Sequence, residues 1–181
     1  MWQIDNSFAL KIIFPWFLIL LVTERVINTF GNRNRSQKTY KVFHKRFFYV
    51  LLGAYLTIVF ICSVSFFINT RINFLVSLIG VAILLTGIIC RRAAISSLNE
   101  YWSIFIEIKE NQRIIRDGIY RYLKHPYYTA VVLELLGFSL VCNSYWGIWL
   151  TIAIQVPLLL IRIYYENRIL KVYGKRLGFD I

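Results

Sequence analysis

Two uninterrupted apolar stretches decide what this chain can fold into. Phe47–Ile68 contains no charged residue, and neither does Ile72–Cys90. A helix crosses the hydrocarbon core of a bilayer in ~17–25 residues, so each stretch is long enough to be a span. The rest of the chain agrees. It is 58% hydrophobic and only 17% charged, whereas soluble domains average about 45–50% apolar. That surplus of apolar surface calls for lipid rather than water.

Three further runs are less clean. Phe8–Val22 is interrupted only by Lys11. Tyr127–Cys142 carries a single acid, Glu134, and Tyr145–Ile161 carries no charge. Only Asn143 and Ser144 separate these last two, which reads as a tight helical hairpin. The expected fold is therefore an all-α polytopic membrane protein with five transmembrane helices. Its two regions are an N-terminal three-span part, residues 1–90, and a C-terminal part, residues 91–181, that contains the hairpin.

The net charge of +12 invites a nucleic-acid reading, but its distribution points elsewhere. Gly31–Arg46 holds six of the basic residues, Arg91–Lys124 seven and Arg162–Ile181 five. With five spans, 18 of the 21 Lys and Arg residues fall on one side. Lys11, Arg25 and Arg71 are the exceptions. This is the positive-inside pattern, and it predicts an outside N-terminus and a cytoplasmic C-terminus. No soluble platform presents the basic residues, so no nucleic-acid partner is expected. Residues 1–7 carry Asp5 and no cation, which is unlike the start of a cleaved signal. Cys62, Cys90 and Cys142 are isolated within the apolar runs, and no C-x-x-C occurs. Neither a metal site nor a disulfide framework is expected.

Residues 91–126 are more than a connector. "RRAAISSLNEYW" has helical character. In "WSIFIEIK", Ile104, Ile106 and Ile108 alternate with Phe105, Glu107 and Lys109. "ENQ" can turn and "RIIRDGIY" can return, which predicts a short β-hairpin at the membrane surface. Asp117-Gly118 is a second turn signal. "IYRYLKHP" then reads as a short interfacial helix ending at His125, because the residue before proline is biased away from the helical region. This places a cytoplasmic helix and hairpin between spans three and four.

The segment "YLKHPYYT" stands at the entrance to the fourth span. Its plain reading is a helix start. Pro126 fits the first turn, Tyr127 and Tyr128 join the aromatic belt, and Lys124 snorkels. Two other features pull against so plain a role. Glu134 lies two turns into the span, where a lone carboxylate costs ~2.5–3.5 kcal/mol unless it faces protein or a polar cavity. Tyr127, Ala130 and Glu134 share a helical stripe. At the end of the fifth span, "RIYYENRIL" sets Arg162 and Glu166 four apart. In isolation that is a surface ion pair worth ~0.2–0.5 kcal/mol. Together the two helix ends gather Lys124, His125, Tyr127, Tyr128, Arg162 and Glu166 at one depth. Such a set can hold a zwitterionic, partly apolar cofactor: a cation for a carboxylate, an acid for an ammonium, and tyrosine faces for aromatic or sulfonium parts. S-adenosylmethionine has all of these.

The same residues carry a family resemblance. "GIYRYLKHPYY" resembles the G-x-Y-x-x-x-(R/K)-H-P-x-Y element of the isoprenylcysteine carboxyl methyltransferase family. "RIYYENRIL" is similar to the R-x-x-x-E-(E/N)-x-x-L element that follows a helical hairpin in that family. The resemblance covers residues 91–175. It implies a multi-span helical fold and S-adenosylmethionine as cofactor. It also implies a cofactor site at Tyr120, Lys124, His125, Pro126, Tyr128 and Glu134, with Arg162 and Glu166 where cofactor and acceptor meet. Three positions depart from the family pattern. Lys124 replaces the commoner arginine, Ala130 stands for a frequent glycine, and the step from Glu166 to "YG" is one residue short. "RRAAISSLNEYWS" and "KHPYYTAVVLELLGFSL" look like a bacterial branch with R-x-x-x-I-x-x-L-G-x-x-W-T and R-H-P-N-Y-x-x-V-x-L-E. Ile95, Leu98, Trp102, Val132 and Glu134 match, and Arg92 matches one position out of register. Some members of that branch O-methylate alkylpyrones or alkylresorcinols.

The resemblance thus implies methyl transfer to a lipophilic acceptor that enters from the bilayer, at a carboxylate or a phenol or enol oxygen. Rival readings are a phospholipid N-methyltransferase, an NADPH-dependent membrane reductase of the sterol-reductase type, and a non-catalytic membrane protein retaining the fold. A soluble Rossmann-type methyltransferase is not expected, since no G-x-G occurs.

Overall fold

In the computed structural model, residues 3–5, 8–30, 39–43, 45–109 and 117–177 are described. Six α-helices dominate: α1 Phe8–Phe30, α2 Lys45–Ile68, α3 Phe74–Leu98, α4 Pro126–Val141, α5 Tyr145–Leu150 and α6 Val156–Leu177. A π turn, Thr151–Gln155, joins α5 to α6, so Tyr145–Leu177 is one helical column. Pro157 lies one residue into α6, and its missing N–H is a local cause for a break in the i→i−4 ladder. Among the described residues there are also four short strands: β1 Gln3–Asp5, β2 Thr39–Phe43, β3 Arg71–Asn73 and β4 Ile106–Lys109.

Three of these helical segments are long and apolar enough to cross a membrane: Arg46–Ile68, Phe74–Leu98 and Tyr145–Val172. α4 is a shorter apolar helix. Large side chains point outward along the three long segments, among them Phe60, Ile89 and Trp149, each at least 66% exposed. Water would penalise that surface, and lipid does not. The fold class is the expected one: an all-α polytopic protein of the membrane.

The core follows from close backbone approach. A Cβ on Gly137 of α4 would lie 2.5 Å from the Leu84 nitrogen of α3, and one on Gly80 would lie 2.6 Å from the Val141 nitrogen. Small residues let membrane helices come this near. A Cβ on Gly87 would meet the Glu134 backbone at 2.9 Å. Arg91, one turn beyond Gly87 on α3, is thereby brought beside the Glu134 side chain. Phe14, Ile58, Cys62, Leu84, Leu135 and Phe138 fill the space between α1, α2, α3 and α4. α3 runs unbroken through residues 90 and 91.

Two turns show why particular residues stand where they do. Asn143, between α4 and α5, has φ 50°, a conformation that asparagine tolerates better than most residues. Its side chain donates to the Ser77 hydroxyl at 2.7 Å and accepts from the Asn73 backbone N–H at 2.9 Å. Ser144 then caps α5 by accepting from the Gly147 N–H at 3.2 Å. The expected tight hairpin is present.

The expected surface hairpin is not formed by the described residues. β4 forms, but it pairs antiparallel with β2, setting Phe43 opposite Ile106 and Thr39 opposite Lys109. Residues 110–116, which include the first half of the expected return limb, lie outside the described residues. Gly118–Arg121 is a 3₁₀ turn rather than a strand. The reason is non-local. The partner strand, β2, lies more than sixty residues earlier in the chain, which short-range pattern reading does not reveal. Gly118 takes φ 61°. The constraint ahead of Pro126 then leaves room for only that short turn, not for a helix continuing to His125.

Candidate functional site

Pro126 opens α4 at its first turn, with His125 in an extended-type conformation before it. The helix start sends Tyr127 and Tyr128 in different directions, because successive helical residues are rotated by about 100°. Each tyrosine belongs to a different polar group, and the two rings are 5.8 Å apart.

Tyr128 faces α6. Its hydroxyl donates to Glu166 and accepts from Arg162 Nε at 3.0 Å. Arg162 also donates through Nη2 to the Ile104 carbonyl. Arg162 is 8% exposed. The surface ion pair expected from i,i+4 spacing is therefore replaced by a buried relay, with the tyrosine hydroxyl between cation and acid. The His125 ring lies 5.9 Å from the Tyr128 ring, and its buried Nε2 has no partner among the described residues. Burial pushes the His125 imidazole below its ordinary pKa. Glu166 opposes that shift, and Lys124 reinforces it. Tyr120 is pushed up by burial and then by Glu166, so it stays a neutral phenol. Pro126 is fully buried, while Lys124 is exposed.

Tyr127 faces the other way, into a cavity of about 910 Å³ bounded by α1, α2, α3, α4 and residues 102–105. The Trp102 ring is 4.7 Å from the Tyr127 ring, and its indole N–H donates to the Thr29 carbonyl at 3.2 Å. Leu18, Leu52, Leu56 and Ile88 are among the apolar walls. Drug-sized ligands occupy cavities of roughly 300–1,000 Å³ lined in this manner.

The polar part of the lining is an ion network. Glu134, 4% exposed, accepts from Arg91 Nε at 2.6 Å and from Arg25. Arg91, 1% exposed, also donates to Glu24. Glu24 further accepts from Arg92 at 2.7 Å and from Asn28 at 2.8 Å. Arg25 donates to the Tyr55 hydroxyl at 3.1 Å and lies 4.0 Å from the centre of that ring.

The sequence-read site residues thus divide. Tyr128, Arg162 and Glu166 are bonded together, with His125 beside them and Tyr120 within the field of Glu166. Lys124 points to solvent. Glu134 is not joined to that set. It belongs to the cavity network, where it faces protein as its cost in hydrocarbon requires. Glu24, Arg25, Tyr55 and Arg91 were not read as site residues. An adjacent acid and base at the end of an apolar run was the available signal for the first two. For the fourth, Arg91 stands four residues before Ile95 and so fits R-x-x-x-I in register. Arg91 is also the buried arginine, whereas Arg92 is half exposed.

Residues 78–172 match the model of the isoprenylcysteine carboxyl methyltransferase (ICMT) family. The chain belongs to the ICMT family. Among curated relatives, the uncharacterized protein YpbQ of Bacillus subtilis is 32% identical over 93 residues, which is 51% of this chain and 55% of that one. An uncharacterized protein of Haemophilus influenzae is 33% identical over 92 residues, covering 50% and 54%. Protein-S-isoprenylcysteine O-methyltransferase B of Arabidopsis thaliana is 24% identical over 126 residues, covering 65% and 60%. The chain thus spans about half the length of the curated relatives it matches, or slightly more. The ICMT match takes in α4, the hairpin turn, α5 and α6 as far as Val172, so Tyr128, Arg162 and Glu166 all lie inside it. Glu24, Arg25 and Tyr55 lie outside it. ICMT membership and the apolar helices together make this an integral membrane protein.

Proposed function

We propose that this chain is an S-adenosylmethionine-dependent methyltransferase that acts on an oxygen of a lipophilic acceptor. The observation that carries the reading is the adjacency of a bonded polar side-chain group and a largely apolar cavity. A Tyr128–Arg162–Glu166 relay, its tyrosine and arginine buried, lies on one side of α4, and a largely apolar cavity on the other. They meet at Ile104, which lines the cavity and whose carbonyl accepts from Arg162.

The polar group fits the proposed cofactor by its donor set. Arg162 offers charge-assisted donors, Glu166 an acid for an ammonium, and Tyr128 and Tyr120 aromatic faces. His125 Nε2 is a buried polar atom with no partner among the described residues, and a buried polar atom without a partner is rare. When bound, S-adenosylmethionine supplies an electrophilic methyl carbon on a sulfonium. The acceptor oxygen forms its bond to that carbon as the sulfur–carbon bond breaks, so the protein's work is alignment and exclusion of water. A carboxylate acceptor needs no base. For a phenol or enol, burial holds His125 in its neutral, proton-accepting form.

We further assign five spans, counting α5 and α6 as one, with the N-terminus outside and the relay at the cytoplasmic face. The skewed distribution of Lys and Arg supports this orientation. The acceptor enters sideways from the bilayer into the α1–α4 cavity. Glu134 is placed on the acceptor side rather than with the cofactor.

The test is transfer of labelled methyl from S-adenosylmethionine into a total lipid extract by detergent-purified full-length protein. Appearance of label in a neutral, extractable O-methyl product is expected. Label only in phospholipid amines would favour the N-methyltransferase rival, and NADPH binding without label would favour the reductase.

A further inference from the structure

The Arg162 guanidinium is held at two points. Nε donates to the Tyr128 hydroxyl at 3.0 Å, and Nη2 donates to the Ile104 carbonyl. Two bonds from different nitrogens fix the rotation of a planar group, which one bond does not. The Ile104 carbonyl therefore helps to aim Arg162, and it must itself be held. Residues 102–105 lie in no helix or strand, so no backbone ladder holds them. Side chains do so instead. At the start of the segment, the Trp102 backbone N–H donates to the Asn99 carbonyl at 3.2 Å. The Trp102 indole N–H donates to the Thr29 carbonyl of α1 at 3.2 Å, and the ring lies 4.7 Å from that of Tyr127 in α4. Within the segment, the Phe105 N–H donates to the Ser103 hydroxyl at 3.2 Å. At its far end, the Phe105 ring meets Phe48 of α2 at 5.3 Å, and Ile106 enters β4 opposite Phe43.

We infer that Trp102 is a positioning residue for the relay. By tying residues 102–105 to α1 and α4, it holds the Ile104 carbonyl against Arg162 and so sets the plane of the guanidinium beside Tyr128 and Glu166. The indole suits this task. Its face packs on Tyr127 while the N–H at its edge reaches Thr29. Thr29 lies in the last turn of α1, Phe8–Phe30, where carbonyls have no partner inside the helix. The indole thus satisfies a helix end and fixes the segment with one bond. Phenylalanine would keep a ring against Tyr127 but offer no donor. Groups of a working site must be held to within about 0.5 Å by the residues behind them, and Trp102 acts in that way through Ile104. What Arg162 then does for a cofactor rests on the proposed function; the placing of its guanidinium does not.

The experiment uses full-length protein in a non-ionic detergent and has two readouts. The first needs no ligand. In protein carrying isotope-labelled arginine, the Arg162 Nε–H resonance is identified by its loss in Arg162→Lys. Hydrogen exchange of that proton should speed up by about tenfold or more in Trp102→Phe, since a hydrogen bond to a charged group is worth at least that factor. It should not change in Trp149→Phe, which alters an indole that is 67% exposed toward lipid. The second readout is S-adenosylhomocysteine affinity by calorimetry. Trp102→Phe should weaken it by about tenfold in the unaltered protein and by less than about twofold in the Arg162→Lys background, because residues acting as one unit are non-additive. A residue that supported only the fold would weaken both backgrounds alike. Should Trp102→Phe fail to fold, benzothienylalanine at position 102 keeps the fused ring, removes the N–H alone and allows the same comparisons. Unchanged exchange at Arg162, unchanged affinity in Trp102→Phe, or an equal loss of affinity in both backgrounds would overturn the positioning role and leave the methyltransferase reading in place. Faster exchange at Arg162 in a protein whose unaltered form binds no S-adenosylhomocysteine would support the positioning of Arg162 and remove the methyltransferase reading.

Discussion

At the scale of single residues, the Tyr128 hydroxyl joins Arg162 to Glu166 and makes the three one unit. Glu166→Gln keeps the size of the side chain but removes its charge. Arg162→Lys keeps the charge but loses the planar fork. If the unit positions cofactor and acceptor, each change lowers kcat/KM by ~100-fold or more, because misplacing reacting atoms by about 1 Å costs that much. The double variant should be little worse than either single one. Methyl-transfer kinetics with melting curves alongside give the readout, and normal turnover in both single variants would remove the pair from the site. His125 carries a second expectation. Its native pKa lies below the ordinary 6.5, from burial first. The unfolded chain then binds more protons just below that value, so the stability contribution is full above pH ~6.5 and falls as pH drops toward the native pKa. The chain has two histidines, His44 and His125. Imidazole NMR of a His44→Gln protein should show one resonance titrating below 6.5; a midpoint above that would contradict the buried setting. The motif residues of this unit were legible in the sequence because two spaced elements name them. The bond from Tyr128 to both was not, since spacing along α6 pairs Arg162 with Glu166 and says nothing of what α4 inserts between them.

At the scale of elements, α3 and α4 are held by glycines that admit no side chain. Gly137→Ala would drive a Cβ to within 2.5 Å of backbone in α3. The helices would have to separate, at a cost of ~1–3 kcal/mol or more. Gly53 in α2 is the control, with nothing within 4 Å of its would-be Cβ. Gly53→Ala should be neutral or stabilise by about 0.4–1 kcal/mol. Thermal melting in one detergent compares the two, and equal melting temperatures would contradict the close approach. Helix existence was legible from uncharged length alone, and the α4–α5 turn from Asn143-Ser144. The pairing of β4 with β2 was not. Strand alternation at Ile104–Lys109 is a local signal, while its partner sits more than sixty residues earlier. Arg91 was missed in favour of Arg92 for a similar reason: which of two adjacent arginines is buried depends on Gly87 drawing α4 against α3.

At the scale of the whole molecule, the charge asymmetry fixes the expected orientation. Tyr122 and Tyr145 are each 81% exposed and lie at opposite ends of α4 and the hairpin. In a cysteine-free background, Tyr122→Cys should react with an impermeant thiol reagent only from the cytoplasmic side, and Tyr145→Cys only from outside. Labelling of both from one side would refute the five-span arrangement. The central claim is narrower than topology: the polar group around Tyr128 binds S-adenosylmethionine. The most direct measurement is calorimetric titration of purified full-length protein, His125→Ala and Tyr128→Ala with S-adenosylhomocysteine. The account predicts saturable binding at one site by the unaltered protein. It predicts affinity weaker by roughly 10- to 150-fold in each variant, as expected for loss of a hydrogen bond to a charged group, with folding intact. Absence of binding by the unaltered protein, or affinity unchanged in both variants, would contradict it.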